Sequence, residues 1–344
     1  MTATGDPVLE LRDLQVEFRT DEGRVQAVRG VSYQLRHGEV LGIVGESGSG
    51  KSVTSLAVLG LLPGSARVAG SARFAGTELL GASEAELCRV RGQGISMIFQ
   101  DPMTSLNPVY TVGYQIAEAI RAHHQLTRGA AREKAVELLG RVSIPDPTQR
   151  VNSYPHELSG GMRQRVVIAI AMANNPEVII ADEPTTALDV TVQAQVLETL
   201  RTAKEQTGAA MVLITHDLGV IAGQADRVLV MYAGRVVEAG TVEDIFYAPR
   251  MPYTLGLLGS QPRLDERRQR LHPISGAPPS VIDMAPGCPF APRCPLAAPV
   301  CEIEEPPLAA TSTSGHLSAC HFSDKLDGLA PGEVFRPVSQ DSRS

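Results

Sequence analysis

Gly45-Glu46-Ser47-Gly48-Ser49-Gly50-Lys51-Ser52 is the stretch from which the rest of this sequence is read. The apolar run Val40-Leu41-Gly42-Ile43-Val44 precedes it and reads as a buried strand. Val53-Thr54-Ser55-Leu56-Ala57-Val58-Leu59 follows and reads as the start of a helix. Gly-x-x-x-x-Gly-Lys-Ser between a strand and a helix is the pattern of a phosphate-binding loop. Its glycines let backbone N–H groups face one concavity, and the helix N-terminus adds partial positive charge. In that setting Lys51 reaches the β- and γ-phosphates of a nucleotide, and the Ser52 hydroxyl ligates magnesium. A Gly/Ser-rich turn with a chance lysine would not need both flanks in register.

Three further apolar runs end in polar side chains that suit this loop. Val178-Ile179-Ile180-Ala181 runs into Asp182-Glu183-Pro184. An aspartate at a strand end is the magnesium-holding partner that a phosphate loop requires. Glu183 is placed to act on a water attacking the γ-phosphate. Ile95-Ser96-Met97-Ile98-Phe99 ends at Gln100, which reaches a metal or a water there, though such a glutamine alone is more often a surface amide. Met211-Val212-Leu213-Ile214-Thr215 ends at His216, on the same edge of the sheet. Leu158-Ser159-Gly160-Gly161-Met162 reads as an N-cap and a close-approach helix start, a second possible anion site. Phe18 either stacks on an adenine ring or is a core aromatic on a strand, with Tyr33 a weaker rival for stacking.

The intervening sequence supplies an arm and a helical region. Leu14, Val16 and Phe18 alternate with polar residues as in a half-buried strand, and 25–35 continues as strand after an Asp21-Glu22-Gly23-Arg24 turn. Residues 68–80 show the same alternation. From 112 to 175 the spacing is helical, with Ile116, Ala119 and Ile120 on one face and Ala135, Leu138 and Leu139 on another. Asp101-Pro102 is expected to break regular structure. A helix is expected over 191–206, and a hairpin turns at Ala233-Gly234.

Composition bounds what such a chain does. Its 344 residues suit one large domain with an appendage, and 43% apolar content supplies an ordinary core. The net charge of −7 and the lack of a long basic run give little support for nucleic acid as the main partner. No apolar run approaches the ~20 residues of a membrane span. Residues 1–7 carry no signal pattern. The chain is therefore expected to be cytosolic and to serve a membrane only through a partner.

These elements, in this order, resemble the nucleotide-binding subunit of an ABC transporter over about 9–261. The motifs are the phosphate loop, the Q-loop glutamine Gln100, the signature around Ser159-Gly160-Gly161, the Walker B pair Asp182 and Glu183, the D-loop Asp189 and the switch His216. The resemblance implies an α/β P-loop fold: a RecA-like core, an antiparallel β arm and a helical signature subdomain at about 102–176. It implies a head-to-tail dimer with ATP and magnesium. The whole phosphate loop, Gln100, Asp189 and His216 would contact ATP, and Ser52, Gln100 and Asp182 would hold the metal. Ser159, Gly160 and Gly161 would bind the partner's nucleotide. Met162 stands where the general signature has glutamine.

The text Phe99-Gln100-Asp101-Pro102 with Ser105-Leu106-Asn107-Pro108, and Cys288-Pro289-Phe290-Ala291-Pro292-Arg293-Cys294, are similar to the dipeptide/oligopeptide importers. That subfamily implies a second ATPase subunit, expected to be a paralogue, two permease subunits and an extracytoplasmic binding protein, with the chain at the cytoplasmic membrane face. Peptides, haem and nickel are all carried by such systems. Two rivals stand beside this reading. One is a non-transport ABC ATPase acting on nucleic acid or ribosomes, against which the short spacing and single motor argue. The other is a regulatory module without turnover, against which Glu183 and His216 argue.

After 261 the composition turns proline-rich, and Cys288, Cys294, Cys301 and Cys320 crowd an extension over 262–325. In a reducing compartment such a cluster suggests metal ligation before disulfides. A [4Fe–4S] cluster, zinc, or four free thiols all remain open. The paired Cys-x₂₋₄-Cys spacing of structural zinc is absent, which favours iron–sulfur. Residues 326–344 are expected to form a flexible tail.

Overall fold

Alternating side chains make β1 (Leu9–Thr20) a half-buried strand, but its phase changes midway. Leu9 and Leu11 are buried, then Leu14 and Val16. Asp13 has φ 47°, and the pairing with β2 (Gly23–Leu35) slips between Leu11 and Leu14. This bulge moves the buried set from odd to even positions. The structure is a computed structural model that describes residues 6–21, 23–186, 188–260, 274–280, 282 and 284–335.

β3 (Val40–Val44) is buried at every position because parallel strands flank it on both sides. α1 (Lys51–Val58) follows the loop. β4 (Ala66–Phe74) and β5 (Thr77–Glu78) complete an antiparallel arm of order β2-β1-β4-β5. α2 (Glu84–Val90) starts at a reciprocal Ser83/Glu86 capping box, a helix signal the sequence reading passed over. β6 (Ile95–Ile98) leads to α3 (Pro102–Ser105). Asp101-Pro102 thus starts one helical turn where a break was expected. The Asp101 side chain accepts the Met103 N–H at 2.8 Å, and Pro102 sits in the first turn, where its missing N–H costs nothing.

The helical region is α4 (Val112–Arg121), α5 (Arg128–Arg141), α6 (Pro147–Arg150) and α7 (Gly160–Met172). Ile116, Ile120, Ala135, Leu138 and Leu139 are buried within it. Then come β7 (Val178–Asp182), α8 (Val190–Thr207), β8 (Ala210–Thr215), α9 (Leu218–Ala222), β9 (Arg227–Tyr232), β10 (Arg235–Thr241), α10 (Val242–Tyr247) and α11 (Pro252–Gly259). Strands β9-β3-β8-β7-β6 run parallel. Their shared direction brings the C-terminal ends of β3, β6, β7 and β8 to one edge, where a parallel sheet binds its ligands.

The extension adds α12 (Pro299–Ile303), β11 (Ala309–Ala310), β12 (Leu317–Ser318) and α13 (Pro331–Val334). β12 pairs with β10, so the main sheet, of order β11-β12-β10-β9-β3-β8-β7-β6 among the described residues, runs into the extension. Buried Glu238 on β10 accepts the Arg250 backbone N–H, and His316 Nε2 lies 2.8 Å from Glu238 Oε1. Burial pushes the Glu238 carboxyl above its ordinary range. The expected boundary at 261 and the start of the extension up to 273 lie outside the described residues. Within the span expected as a tail, Leu326 is 2% exposed and the Phe335 ring lies 6.5 Å from Phe290. Residues 336–344 lie outside the described residues.

Phe290 is the anchor of this docking. It is 1% exposed and meets Tyr232 and Tyr253 edge-on, both at 5.4 Å between centroids. Phe290→Ala is expected to cost about 3–5 kcal/mol. Chemical denaturation followed by tyrosine fluorescence measures it, and a loss under about 1 kcal/mol would mean the extension is anchored elsewhere.

Candidate active site

The loop between β3 and α1 is shaped by close approaches. Gly50 is the N-cap of α1 at φ 97°, and a Cβ there would lie 2.4 Å from the Ala27 carbonyl oxygen. At Gly45 a Cβ would lie 2.2 Å from the Met231 carbonyl oxygen. Only glycine fits either place. Lys51 is 4% exposed, and its Nζ donates to the carbonyls of Gly45 at 2.8 Å and Glu46 at 2.9 Å. Burial lowers its pKa, while Glu183, Asp182 and Glu46 pull the other way. The ammonium is thus folded into the loop it serves.

Ser52 Oγ donates to Asp182 Oδ1 at 2.9 Å, joining two of the three residues assigned to the metal. Asp182 is 5% exposed, and burial, reinforced by Glu183, holds its carboxyl above the usual range against the Ser52 bond and Lys51. Glu183 follows in a strained backbone, φ 47°. Its Oε2 accepts from Gln100 Nε2 and Thr186 Oγ1, each at 2.9 Å, and lies 3.4 Å from His216 Nδ1. Gln100 therefore faces the glutamate here rather than the Ser52–Asp182 pair. A cavity of about 590 Å³ is lined by residues 45–53, Gln100, Glu183, His216 and Leu257. That is the size of an ordinary small-molecule site.

Thr186 was missed by the sequence reading. Its only signal is a hydroxyl three residues after Glu183. Leu257 and Tyr253, whose hydroxyl accepts the Glu46 N–H at 2.8 Å, come from α11 and carry no local signal at all.

Other expected residues lie elsewhere. Phe18 is half-buried in the arm, paired with Val25 and Ala66, and does not line the cavity. Tyr33 is 7% exposed, in the arm's core. Ser159 is exposed, and its Oγ accepts the Met162 N–H at 3.4 Å at the start of α7. A Cβ on Gly161 would lie 2.5 Å from Val192 Cγ1, so this glycine lets α7 approach α8. Asp189 caps α8, accepting from the N–H groups of Thr191 and Val192 at 3.1 and 3.0 Å. Within this chain none of these lines the loop cavity.

Cys288, Cys294, Cys301 and Cys320 line one small cavity of about 20 Å³. Burial pushes the Cys288 thiol up, Cys294 to about 12 and Cys320 to about 11. Yet among the described residues no three His, Cys, Asp or Glu are grouped to hold a metal ion. Cys88 stands apart, exposed on α2.

Residues 28–186 match the family described as ABC transporter, and residues 237–301 match the C-terminal region of oligopeptide/dipeptide transporters. The dipeptide transport ATP-binding protein DppD of Bacillus subtilis is 52% identical over 322 residues, covering 93% of this chain and 96% of that protein. This chain belongs to the oligopeptide/dipeptide branch of the ABC transporter ATPases. The expected P-loop cassette fold holds for this ABC chain. The oligopeptide transport ATP-binding protein OppD of Mycobacterium tuberculosis is 57% identical over 332 residues, 96% of this chain but 54% of that protein. The ABC chain thus spans about half of that relative's length. A solved dimeric ATP-binding cassette bound to ADP and phosphate matches with a TM-score of 0.61 at 27% identity, covering 68% of this chain and 98% of that one. No helix among the described residues is long and apolar enough to cross a membrane.

Proposed function

We propose that the chain hydrolyses ATP as a motor subunit of a di- or oligopeptide importer. The observation that carries this reading is the convergence of Lys51, the Ser52–Asp182 pair and the Gln100–Glu183–His216 group around one loop cavity. Ser52 and Asp182 fit a magnesium ion: a hydroxyl and a buried carboxylate whose charge is otherwise poorly solvated. Bound there, magnesium supplies charge neutralisation on the phosphates. Lys51 exchanges the Gly45 and Glu46 carbonyls for phosphate oxygens. Glu183 orients a water and takes its proton, with Gln100, Thr186 and His216 holding its carboxylate. Ser159, Gly160 and Gly161 act across a dimer on the partner's nucleotide, Asp189 contacts ATP, and Phe18, which does not line the loop cavity, stacks on the adenine beyond it.

Two permease subunits, a second ATPase subunit and an external peptide-binding protein complete the assembly, placing the chain at the cytoplasmic membrane face. Affinity purification from detergent-solubilised membranes is expected to recover two polytopic membrane proteins with the chain. Recovery of ribosomes or DNA instead would replace this reading with a non-transport ATPase.

The four extension cysteines serve as ligands of one [4Fe–4S] cluster in this reading. All four line one cavity, and four thiolates are the usual ligand set. Zinc is less suited, because the Cys-x₂₋₄-Cys pairing of its structural sites is absent from the spacing of these four cysteines. At about 20 Å³ the cavity has room for one water, so the thiols must part to admit a cluster. Bound, the cluster supplies folding energy to a proline-rich segment with little regular secondary structure. Anaerobically purified protein is expected to contain about four irons per chain. Serine at any of the four positions should remove them, and serine at Cys88 should not. Stoichiometric zinc without iron would overturn the cluster.

A further inference from the structure

Arg293 precedes Cys294 in the extension, and the group it grips belongs to the phosphate loop. Its Nη1 donates to Glu46 Oε2 at 2.6 Å and its Nη2 to Glu46 Oε1 at 2.9 Å, a bidentate pair. Nη1 also donates to the Tyr232 hydroxyl at 3.2 Å, and Nε to the Ser275 carbonyl at 3.2 Å. The guanidinium carbon lies 5.8 Å from the Tyr232 ring centroid and 5.9 Å from that of Phe290. The Arg293 side chain is 5% exposed. Tyr253 holds the same loop residue by its backbone N–H. The second residue of the loop is therefore gripped at main chain and side chain by residues 207 and 247 positions away.

Glu46 is an odd residue for this place. It puts a carboxylate on a loop built to receive a polyanion, and its field reaches Lys51. A free carboxylate there would repel the phosphates that the backbone N–H groups attract. Paired with a buried guanidinium, it becomes a neutral strut.

We infer that Arg293 is a positioning residue for nucleotide binding: it neutralises Glu46 and holds the first turn of the phosphate loop, so the site is complete only when the cysteine-bearing extension is docked. This rests on the ATP-binding role proposed above. The extension is then part of the nucleotide site, although none of its described residues lines the cavity.

The test is the affinity of the full-length chain, in its assembled complex, for a fluorescent MgATP analogue. Arg293→Met keeps the aliphatic stem against Tyr232 and Phe290 and removes the charge. It is expected to weaken binding about tenfold and to raise KM for ATP with kcat near wild type. Adding Glu46→Gln to that variant is expected to recover most of the loss, because no bare carboxylate is left. Arg293→Lys keeps the charge without the fork and is expected to bind within about threefold of wild type. Wild-type affinity in Arg293→Met overturns the inference alone. So does a double variant no better than Arg293→Met, or an Arg293→Lys as weak as Arg293→Met, since either means lost packing rather than lost charge. A wild-type complex that binds no MgATP overturns the functional reading and this inference with it.

Discussion

Glu183→Gln leaves MgATP bound and removes most turnover: steady-state ATPase of the assembled complex falls by about 10²–10⁴. The side chain sits directly after Asp182 at the end of β7, held by Gln100 and Thr186 at 2.9 Å and facing His216. An amide has the same shape and suits the same backbone, so the cavity wall is unchanged. What it lacks is a negative oxygen to orient a water and take its proton. Ser52, Asp182 and Lys51 are untouched, so nucleotide affinity holds and the ATP-bound dimer persists. Phosphate release under saturating MgATP measures the loss, and equilibrium nucleotide binding measures the retained affinity. Activity within about threefold of wild type would remove Glu183 from this role.

Ser159→Arg stops hydrolysis in the complex while the isolated chain binds MgATP as before. Ser159 is exposed at the start of α7 and does not line its own chain's cavity. Inside one chain its visible duty is a cap on Met162, and losing it costs about 1 kcal/mol of helix stability, too little to unfold the domain. Its larger effect must therefore come through a second subunit. A long cation at a helix start meant to meet phosphate blocks dimer closure by bulk. If monomeric binding and complex turnover fall together, the signature does not act across the dimer.

Much of this architecture was legible because the chemistry sits at strand ends. Val40-Leu41-Gly42-Ile43-Val44, Ile95-Ser96-Met97-Ile98 and Val178-Ile179-Ile180-Ala181 are short apolar runs, and each delivers its next polar residue to the same edge. Parallel topology turns that one-dimensional pattern into a three-dimensional site. Local chemistry marked Ser159 as the helix cap it makes and as a possible anion site, whereas Asp189, which caps α8, was singled out only through the family resemblance. What was not legible is everything long-range. Arg293 and Glu46 are 247 positions apart, and nothing in a Pro-Arg-Cys triplet says that its arginine reaches the phosphate loop. The bulge at Asp13 shifted the buried set of β1, which strict alternation could not anticipate. The extension reads as an appendage because it is rich in proline and its apolar residues follow no helical or strand period. In the fold Phe290 and Ala319 of the extension enter the main core, and β12 lengthens the main sheet.

The central claim, that this chain couples ATP hydrolysis to peptide import, is tested most directly in proteoliposomes holding the chain with its permease and partner ATPase subunits. Peptide-loaded binding protein is presented on one face and MgATP on the other, and labelled peptide and released phosphate are counted together. The account predicts that peptide crosses only with MgATP, that loaded binding protein raises phosphate release, and that Glu183→Gln abolishes both. ATP hydrolysis with no movement of any peptide, or peptide movement that persists in Glu183→Gln, would contradict it.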